Sequence, residues 1–162
     1  MNMTKYIYPY RVSVVREKTD RYPRISNSKE LQAITRELLA DAATERFLVF
    51  FMDSKNRITG FNESSVGSLN VSVVHPRDTM RAAVIQGASA IVLAHNHPSG
   101  DPTPSREDRE CTKRLCHAGR ILGIRVLDHI VVGESDYYSF ADAGTLGDFD
   151  DPEVNIALGK AS

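Results

Sequence analysis

Apolar and polar positions alternate along this chain with two different periods, and the period indicates which element each stretch forms. A period of two near the start predicts a strand over residues 10–16. The apolar run 46–52 is typical of a buried strand, and the polar stretch 53–56 is typical of a turn. Residues 57–66 are therefore predicted to return beside 46–52 as the second strand of a hairpin.

A period near 3.6 predicts three helices, each with a recognisable first or last residue. Ser, Asn and Pro favour helix N-termini, whereas Gly favours the position that follows a helix. The predicted helices cover 28–42 after the cap Asn27, 76–86 between Pro76 and Gly87, and 105–118 with Cys111, Leu115, Ala118 and Leu122 facing the core.

Three further strands complete the predicted α/β domain. Residues 89–94 are almost continuously apolar, which indicates a strand covered on both faces. Strands are also predicted over 124–132 and 137–140. The fold class expected is therefore α/β, a single domain whose mixed, curved sheet is flanked by helices.

The chain divides into three predicted parts. Residues 1–44 form an N-terminal extension with one helix that packs on the domain, residues 45–144 form the domain itself, and residues 145–162 form an acidic, flexible tail.

Composition narrows the class of protein. The sequence is 41% hydrophobic and 25% charged with a net charge of -1, which is ordinary for a globular protein. No apolar run approaches the roughly 20 residues of a membrane span, and the start lacks a secretory signal pattern, so a cytoplasmic location is expected. The near-zero charge does not support a nucleic-acid partner, although a local basic patch stays open.

Two histidines stand where the apolar strand 89–94 ends. His95 and His97 are two positions apart, so their side chains project to the same side of a strand and can converge on one metal ion. Asp108, in the first turn of the next predicted helix, is brought back by a Pro-rich loop. Two imidazoles and one carboxylate leave a fourth tetrahedral position open, which is typical of catalytic zinc.

Simpler interpretations exist for each of these residues. Ser105 and Asp108 fit a helix capping box, and a His-x-His pair at a strand end can be a chance surface pair. Capping and metal binding do not exclude each other, because a helix N-terminus favours an anionic carboxylate. The joint occurrence of all these residues after an apolar strand favours the metal site.

The spacing of these residues also resembles a known family. His95, His97, Ser105 and Asp108 match the JAMM pattern H-x-H-x7-S-x2-D without a gap. Further strings resemble the bacterial RadC branch of that family: A-H-N-H-P-S-G-D-P-T-P-S-R-E-D from Ala94, Gly67-Ser68-Leu69-Asn70, Val74-His75-Pro76-Arg77 and Leu127-Asp128-His129-Ile130. The resemblance covers about residues 45–144 and implies an MPN/JAB-like fold with cytidine-deaminase-like layering.

The resemblance implies a role for each site residue. His95, His97 and Asp108 would hold one zinc ion, with water as the fourth ligand, and Ser105 would donate a hydrogen bond to the oxyanion. The family's general base is an upstream glutamate, for which Glu63 is the best match; an exposed strand carboxylate is the alternative interpretation of Glu63. Glu107 and Glu110 are local substitutes.

The function expected from this resemblance is zinc-dependent hydrolysis of a peptide or isopeptide amide bond in a peptide or protein substrate. Two alternatives stay open: a DNA-repair-associated protein that acts on or binds DNA, and a zinc-binding scaffold without turnover. Full-length RadC proteins carry an N-terminal helix-hairpin-helix region, which residues 1–44 do not resemble. Neither the substrate nor the oligomeric state follows from the sequence.

Two neighbouring polar residues, Asp128 and His129, stand in the predicted strand 124–132 and must point to opposite faces of it. One of them could be a hydrogen-bonding partner of a ligand histidine, and a satisfied core residue is the alternative.

Overall fold

The computed structural model describes residues 23–40, 42–66 and 74–149 of the chain. The predicted strand 10–16, the string Gly67-Ser68-Leu69-Asn70 and the end of the predicted tail lie outside these residues. The described elements, in chain order, are α1 (Ser28–Leu38), β1 (Arg46–Met52), β2 (Ile58–Val66), α2 (Pro76–Gln86), β3 (Ala90–Asn96), α3 (Arg106–Leu122), β4 (Arg125–Val132) and β5 (Tyr137–Ser139).

The five strands form one mixed sheet in the order β2-β1-β3-β4-β5. The β1–β2 hairpin is antiparallel, as predicted, and β1 also pairs antiparallel with β3. β3 and β4 are parallel, with α3 as the crossover between them, and β5 returns antiparallel to β4. This arrangement places β3, the strand that carries the two histidines, at the centre of the sheet.

Helices cover both faces of the sheet because the central strands are apolar on both sides. In β1, Phe47, Val49 and Phe51 belong to the core shared with α2 and α3. The alternate residues Leu48, Phe50 and Met52 belong to a second core shared with α1. The α/β fold class with helices on a mixed sheet is confirmed, and the strand alternation divides it into an α1 face and an α2/α3 face.

The predicted element bounds differ from the observed ones mainly at helix ends. α1 ends at Leu38 rather than at 42, and α3 continues to Leu122, where Gly123 adopts a left-handed conformation with φ 71°. Leu122 is 50% exposed, so the prediction that it faces the core was wrong. α3 lies close to the start of β4: a Cβ added to Gly119 would come within 2.2 Å of the Ile124 carbonyl oxygen.

Two observations on the described residues bear on the predicted class of protein. No helix among them combines the length and apolar character that crossing a membrane requires. Cys111 and Cys116 are buried free thiols on α3, and burial raises their pKa values to about 12 and about 11. They are therefore core residues with little thiolate character at neutral pH.

Candidate metal centre

The site lies at one edge of the sheet, where β1 begins and the antiparallel strand β3 ends. Phe47 lies opposite His95 in their antiparallel register, and both side chains are on the α2/α3 face. His95 is fully buried there. His97 follows the last residue of β3, and its backbone N–H donates to the Val132 carbonyl at 2.9 Å, which continues the pairing with β4. Both imidazoles therefore stand on rigid backbone.

The loop after His97 brings the chain back to the same point. Its position is fixed against the end of β4, since a Cβ added to Gly133 would meet the Gly100 carbonyl oxygen at 2.3 Å. Helix α3 then begins with the predicted capping box: the Ser105 hydroxyl accepts from the Asp108 N–H, and the Asp108 carboxylate accepts from the Ser105 N–H. The cap holds Asp108, which is buried, beside the two imidazoles.

Potential ligand atoms from four residues converge at this point. His95 Nε2 lies 3.0 Å from His97 Nε2 and 3.1 Å from Asp108 Oδ1, and His97 Nε2 lies 3.3 Å from Asp108 Oδ2. Glu45 is the fourth residue, with its Oε1 at 3.8 Å from His95 Nε2 and 3.9 Å from His97 Nε2. One atom from each of the four residues lies within 4.8 Å of the others.

Hydrogen bonding around the cluster shows which of its atoms carry no proton. His97 Nδ1 is 2.8 Å from the Asp101 carbonyl oxygen, which can only accept, so Nδ1 carries the proton and Nε2 of the neutral ring is bare. Asp108 Oδ1 is buried and has no hydrogen-bond partner among the described residues. A bare His97 nitrogen and an orphaned carboxylate oxygen in one cluster fit a divalent cation.

The electrostatics of the cluster favour a negative Asp108. Burial raises the pKa of the Asp108 carboxyl, but the His95 and His97 imidazoles, which donate to it when their Nε2 atoms carry protons, outweigh burial and hold this pKa well below its ordinary value. The Asp108 carboxylate in turn raises the pKa of His97 above its ordinary value, against the opposing effect of burial. Protons and a metal ion would therefore compete for the same His97 nitrogen.

Glu45 is held in place by its neighbours on the chain. The Asn96 side chain, which lies between the two histidines in sequence, accepts from the Arg46 N–H at 2.9 Å and donates to the Thr44 carbonyl at 3.1 Å. These two backbone groups flank Glu45. Asn96 therefore ties the segment that carries the glutamate to the strand that carries the histidines.

Glu63, the predicted general base, is not brought to this cluster. Its carboxylate is bound by the Nε and Nη2 atoms of Arg46, and this hydrogen-bonded ion pair lowers the pKa of Glu63. Glu63 lies opposite Leu48, a residue of the α1 face, whereas His95 is on the other face. The structure thus agrees with the alternative interpretation of Glu63 as a strand carboxylate at the surface.

A bulge in the pairing of β1 with β2 places Glu63 on the α1 face. The pairing of β1 with β2 shifts between Phe47, which lies opposite Ser65, and Leu48, which lies opposite Glu63. An unshifted register would have placed Glu63 opposite Val49, on the same face as the histidines. One extra residue in a strand moves every later side chain to the other face.

Sequence reasoning missed Glu45, although a signal for it existed. Phe47 lies opposite His95, and the same antiparallel register continued by two residues places Glu45 opposite His97. That signal becomes readable only once β1 and β3 are known to be neighbours, which the sequence pattern alone does not state.

Ser105 is close to the cluster and already engaged with it. Its hydroxyl lies 2.7 Å from Asp108 Oδ2, to which it donates, while accepting from the Asp108 N–H. The structure therefore shows the capping function of Ser105. Its predicted donation to an oxyanion requires the hydroxyl to rotate away from Asp108.

Asp128 and His129 point to opposite faces of β4, as predicted. The Asp128 carboxylate accepts from Ser139 Oγ, the Ala141 N–H and the His129 N–H. His129 is fully buried on the α2/α3 face, with its Nε2 at 2.9 Å from His95 Nδ1. Burial, together with the nearby His95, holds the pKa of His129 well below its ordinary value. His129 is thus the residue of this pair that touches the site.

The fold and the cluster together agree with one family of proteins. A family model described as the RadC-like JAB domain matches residues 25–145. The chain belongs to the RadC-like JAB domain family, and its described part is a single JAB domain with a group of residues that could hold a metal ion.

Proteins named UPF0758 are among its relatives. One from Trichlorobacter lovleyi is 55% identical over 108 residues, which are 67% of this chain and 47% of the relative. One from Syntrophotalea carbinolica is 46% identical over 127 residues, 78% of this chain and 55% of the relative. One from Methanosarcina mazei is 40% identical over 121 residues, 75% of this chain and 53% of the relative. The chain spans about half the length of these relatives.

Proposed function

We propose that this protein is a zinc-dependent hydrolase that cleaves a peptide or isopeptide amide bond. The observation that carries the proposal is the convergence of His95 Nε2, His97 Nε2 and an orphaned Asp108 oxygen at one point, with the Glu45 carboxylate beside them. Groups that can only accept hydrogen bonds cannot bond to one another, so burying them together lowers stability. A bound cation would explain why they lie together.

The donor set favours zinc. Two neutral imidazole nitrogens and one carboxylate oxygen are ligands that Zn²⁺ takes in catalytic sites, where three protein ligands leave one position open. When bound, the ion would supply Lewis acidity, lowering the pKa of water toward ~7 and polarising a carbonyl group. Calcium and magnesium prefer all-oxygen sites, and the two imidazoles argue against them.

Glu45 replaces Glu63 in the proposed mechanism. Its carboxylate faces both ligand histidines without contacting either nitrogen at bonding distance, as a group acting beside the ligands would. In the proposal, Glu45 takes a proton from the attacking water and gives it to the leaving amine. The backbone ties from Asn96 hold the glutamate in position for both transfers.

A cleft beside the cluster offers room for a substrate. Its volume is about 510 Å³, and its walls include His97, Asn96, the loop residues Pro98 to Gly100, and Glu134. Of the proposed site residues, His97 forms part of the cleft wall, so a chain lying in the cleft would pass one edge of the proposed site. The lining includes the polar residues Arg36, Asn96, Ser99 and Glu134, which suits the backbone groups of an extended peptide.

The proposal is tested with two matched glutamate variants. Wild type, Glu45→Gln and Glu63→Gln are loaded with zinc, analysed for metal content and incubated with quenched-fluorescent peptide libraries and with lysine isopeptide substrates. We expect all three to bind one zinc per chain, and Glu45→Gln to lose about 10²–10⁴-fold in rate because the base is removed. Glu63→Gln should cleave at nearly the wild-type rate.

Each alternative result changes a different part of the proposal. Wild-type turnover by Glu45→Gln would remove Glu45 as the base, and a selective loss in Glu63→Gln would restore the original assignment. A wild-type protein that binds no zinc would overturn the proposed enzyme altogether.

A further inference from the structure

A chain of hydrogen bonds runs through the interior behind His95. Thr112 Oγ1 lies 2.6 Å from the Asp108 carbonyl oxygen and 2.6 Å from His129 Nδ1. A carbonyl oxygen can only accept, so the hydroxyl hydrogen of Thr112 goes to Asp108. Thr112 must therefore accept from His129, and this places the proton of His129 on Nδ1.

The same hydrogen-bond argument places the proton of His95 on Nδ1. With its proton on Nδ1, a neutral His129 has a bare Nε2, which lies 2.9 Å from His95 Nδ1. His129 Nε2 therefore accepts from His95 Nδ1–H, and the Nε2 atom of His95 is bare where it faces Asp108 Oδ1 at 3.1 Å. The bonding of Thr112 alone determines every proton position along this path.

From this geometry we infer that Thr112 and His129 form a positioning relay that locks His95 in the tautomer able to bind the metal. The inference rests on the proposed metal site, and it adds to that proposal two residues that do not touch the ion. Neither residue is part of the motif that predicted the ligands, and Thr112 carries no sequence signal at all.

Burial restricts the relay histidines to one tautomer each. Thr112, His129 and His95 are all fully buried. The ring of Phe140 stacks on His129 with centroids 5.1 Å apart, and the ring of Phe47 stacks on His95 at 5.9 Å. Each buried polar atom must find its partner inside the protein, so the other tautomer would leave a buried polar atom without a hydrogen bond.

The relay also returns to the residue from which it starts. The Asp108 backbone carbonyl accepts the first hydrogen bond of the path, and the Asp108 carboxylate faces the His95 nitrogen at its other end. These contacts join β3, β4 and the first turns of α3 in one hydrogen-bonded network. A partner of this kind orients a ligand histidine and typically changes metal affinity 10–100-fold when it is removed.

The test removes the Thr112 hydroxyl and compares it with a matched control. Thr35 is also fully buried, and its hydroxyl also donates to the carbonyl four residues earlier, at 2.9 Å from the Leu31 oxygen. We expect Thr112→Val to weaken Zn²⁺ affinity about 10–100-fold in competition with a chromogenic chelator. Thr35→Val and Thr112→Ser, which keeps the hydroxyl, should bind zinc like the wild type.

The second readout is the tautomer itself, from the ¹⁵N shifts and long-range ¹H–¹⁵N correlations of the wild-type imidazoles. His129 should be the Nδ1–H tautomer in wild type and Thr112→Ser, and should lose that preference in Thr112→Val. This measurement on wild type stands even where a variant fails to fold.

The outcomes separate the relay from the proposed function. Wild-type zinc affinity in a folded Thr112→Val protein, or a His129 protonated on Nε2 in the wild type, would overturn the relay while leaving the metal site intact. Wild-type protein that binds no zinc would contradict the proposed function, and the tautomer of His129 in that protein would then decide the relay alone.

Discussion

Asp108 and Asp128 are both buried in this protein, yet their surroundings differ in kind. Both oxygens of Asp128 are satisfied by donors: Ser139 Oγ at 2.7 Å, the His129 N–H at 2.7 Å and the Ala141 N–H at 2.9 Å. Asp108 has donors from Ser105 on Oδ2 alone, and its Oδ1 faces the bare nitrogen of His95. Asp128 has a donor on each oxygen, whereas Asp108 has an oxygen that could bind a cation.

The pKa values of the two carboxyls move in opposite directions because their neighbours differ, although burial acts on both in the same way. Burial raises the pKa of Asp128, and its three donors do not overcome that effect. Burial also raises the pKa of Asp108, but hydrogen bonds and charge from the two imidazoles, when these are protonated, reverse the shift. The partners of a buried carboxylate therefore indicate its role. Donors on both oxygens indicate a structural role, and other acceptors that converge with the carboxylate indicate a metal site.

The largest expected effect comes from truncating the two aspartates in turn. Asp108→Ala should lose stoichiometric zinc, because it removes one of three ligands. Asp128→Ala should retain one zinc per chain and lose about 1–3 kcal/mol of unfolding free energy, because its buried donors lose their acceptor. Elemental analysis and urea denaturation measure the two effects, and zinc loss in Asp128→Ala would erase the distinction.

Asn96 offers a sharper test. It stands between two proposed ligands in the sequence, yet its side-chain oxygen and nitrogen both have hydrogen-bond partners, as both oxygens of Asp128 do. Asn96→Ala should keep the metal and free the segment around Glu45. The loss of about 1–2 kcal/mol at the Arg46 amide corresponds to roughly 5–30-fold faster hydrogen exchange there.

The exposed Asn62 on β2 gives the matched control for this experiment, since Asn62→Ala should leave exchange at Arg46 unchanged. Unaltered exchange of Arg46 in Asn96→Ala would show that Asn96 does not hold the glutamate segment.

The smallest expected effect is a pH dependence of opposite sign for the two aspartates in chelator-treated protein. Asp128 has a raised folded pKa, so its folded state binds more protons than the unfolded state above pH ~3.9, and its contribution to stability falls as pH rises through that window. Asp108 has a lowered folded pKa, so its contribution is present above pH ~3.9 and is lost as pH falls below it.

Urea unfolding at a series of pH values, with Asp128→Asn and Asp108→Asn as references, measures both slopes. The wild-type advantage over Asp128→Asn should shrink with rising pH, and the advantage over Asp108→Asn should grow. Slopes of the same sign would mean that the two environments are not opposed.

Much of the fold could be predicted because local patterns report directly on local structure. β1 and α2 have the predicted bounds, since an apolar run followed by a turn, and a Pro and a Gly around an amphipathic segment, each define an element within a few residues. The three residues His95, His97 and Asp108 could be predicted for a similar reason. They lie within fourteen positions of each other, on one strand end and the next helix turn.

Glu45 and the relay could not be predicted in this way. Glu45 meets His97 only through the register of β1 with β3, and Glu63 leaves that face only through a bulge in β2. Thr112 and His129 meet on the α2/α3 face of the sheet only because α3 crosses over to place β4 parallel to β3.

The sequence by itself determined the elements, the apolar faces and the three residues proposed as ligands, because each of these depends on neighbours in the chain. The tertiary structure alone decided which glutamate faces the histidines and which buried groups hold His95 in its tautomer. The physical reason is that the alternation of side chains along a strand defines two faces but does not say which residues of other elements each face contacts. Strand order, register and one bulge determine those contacts.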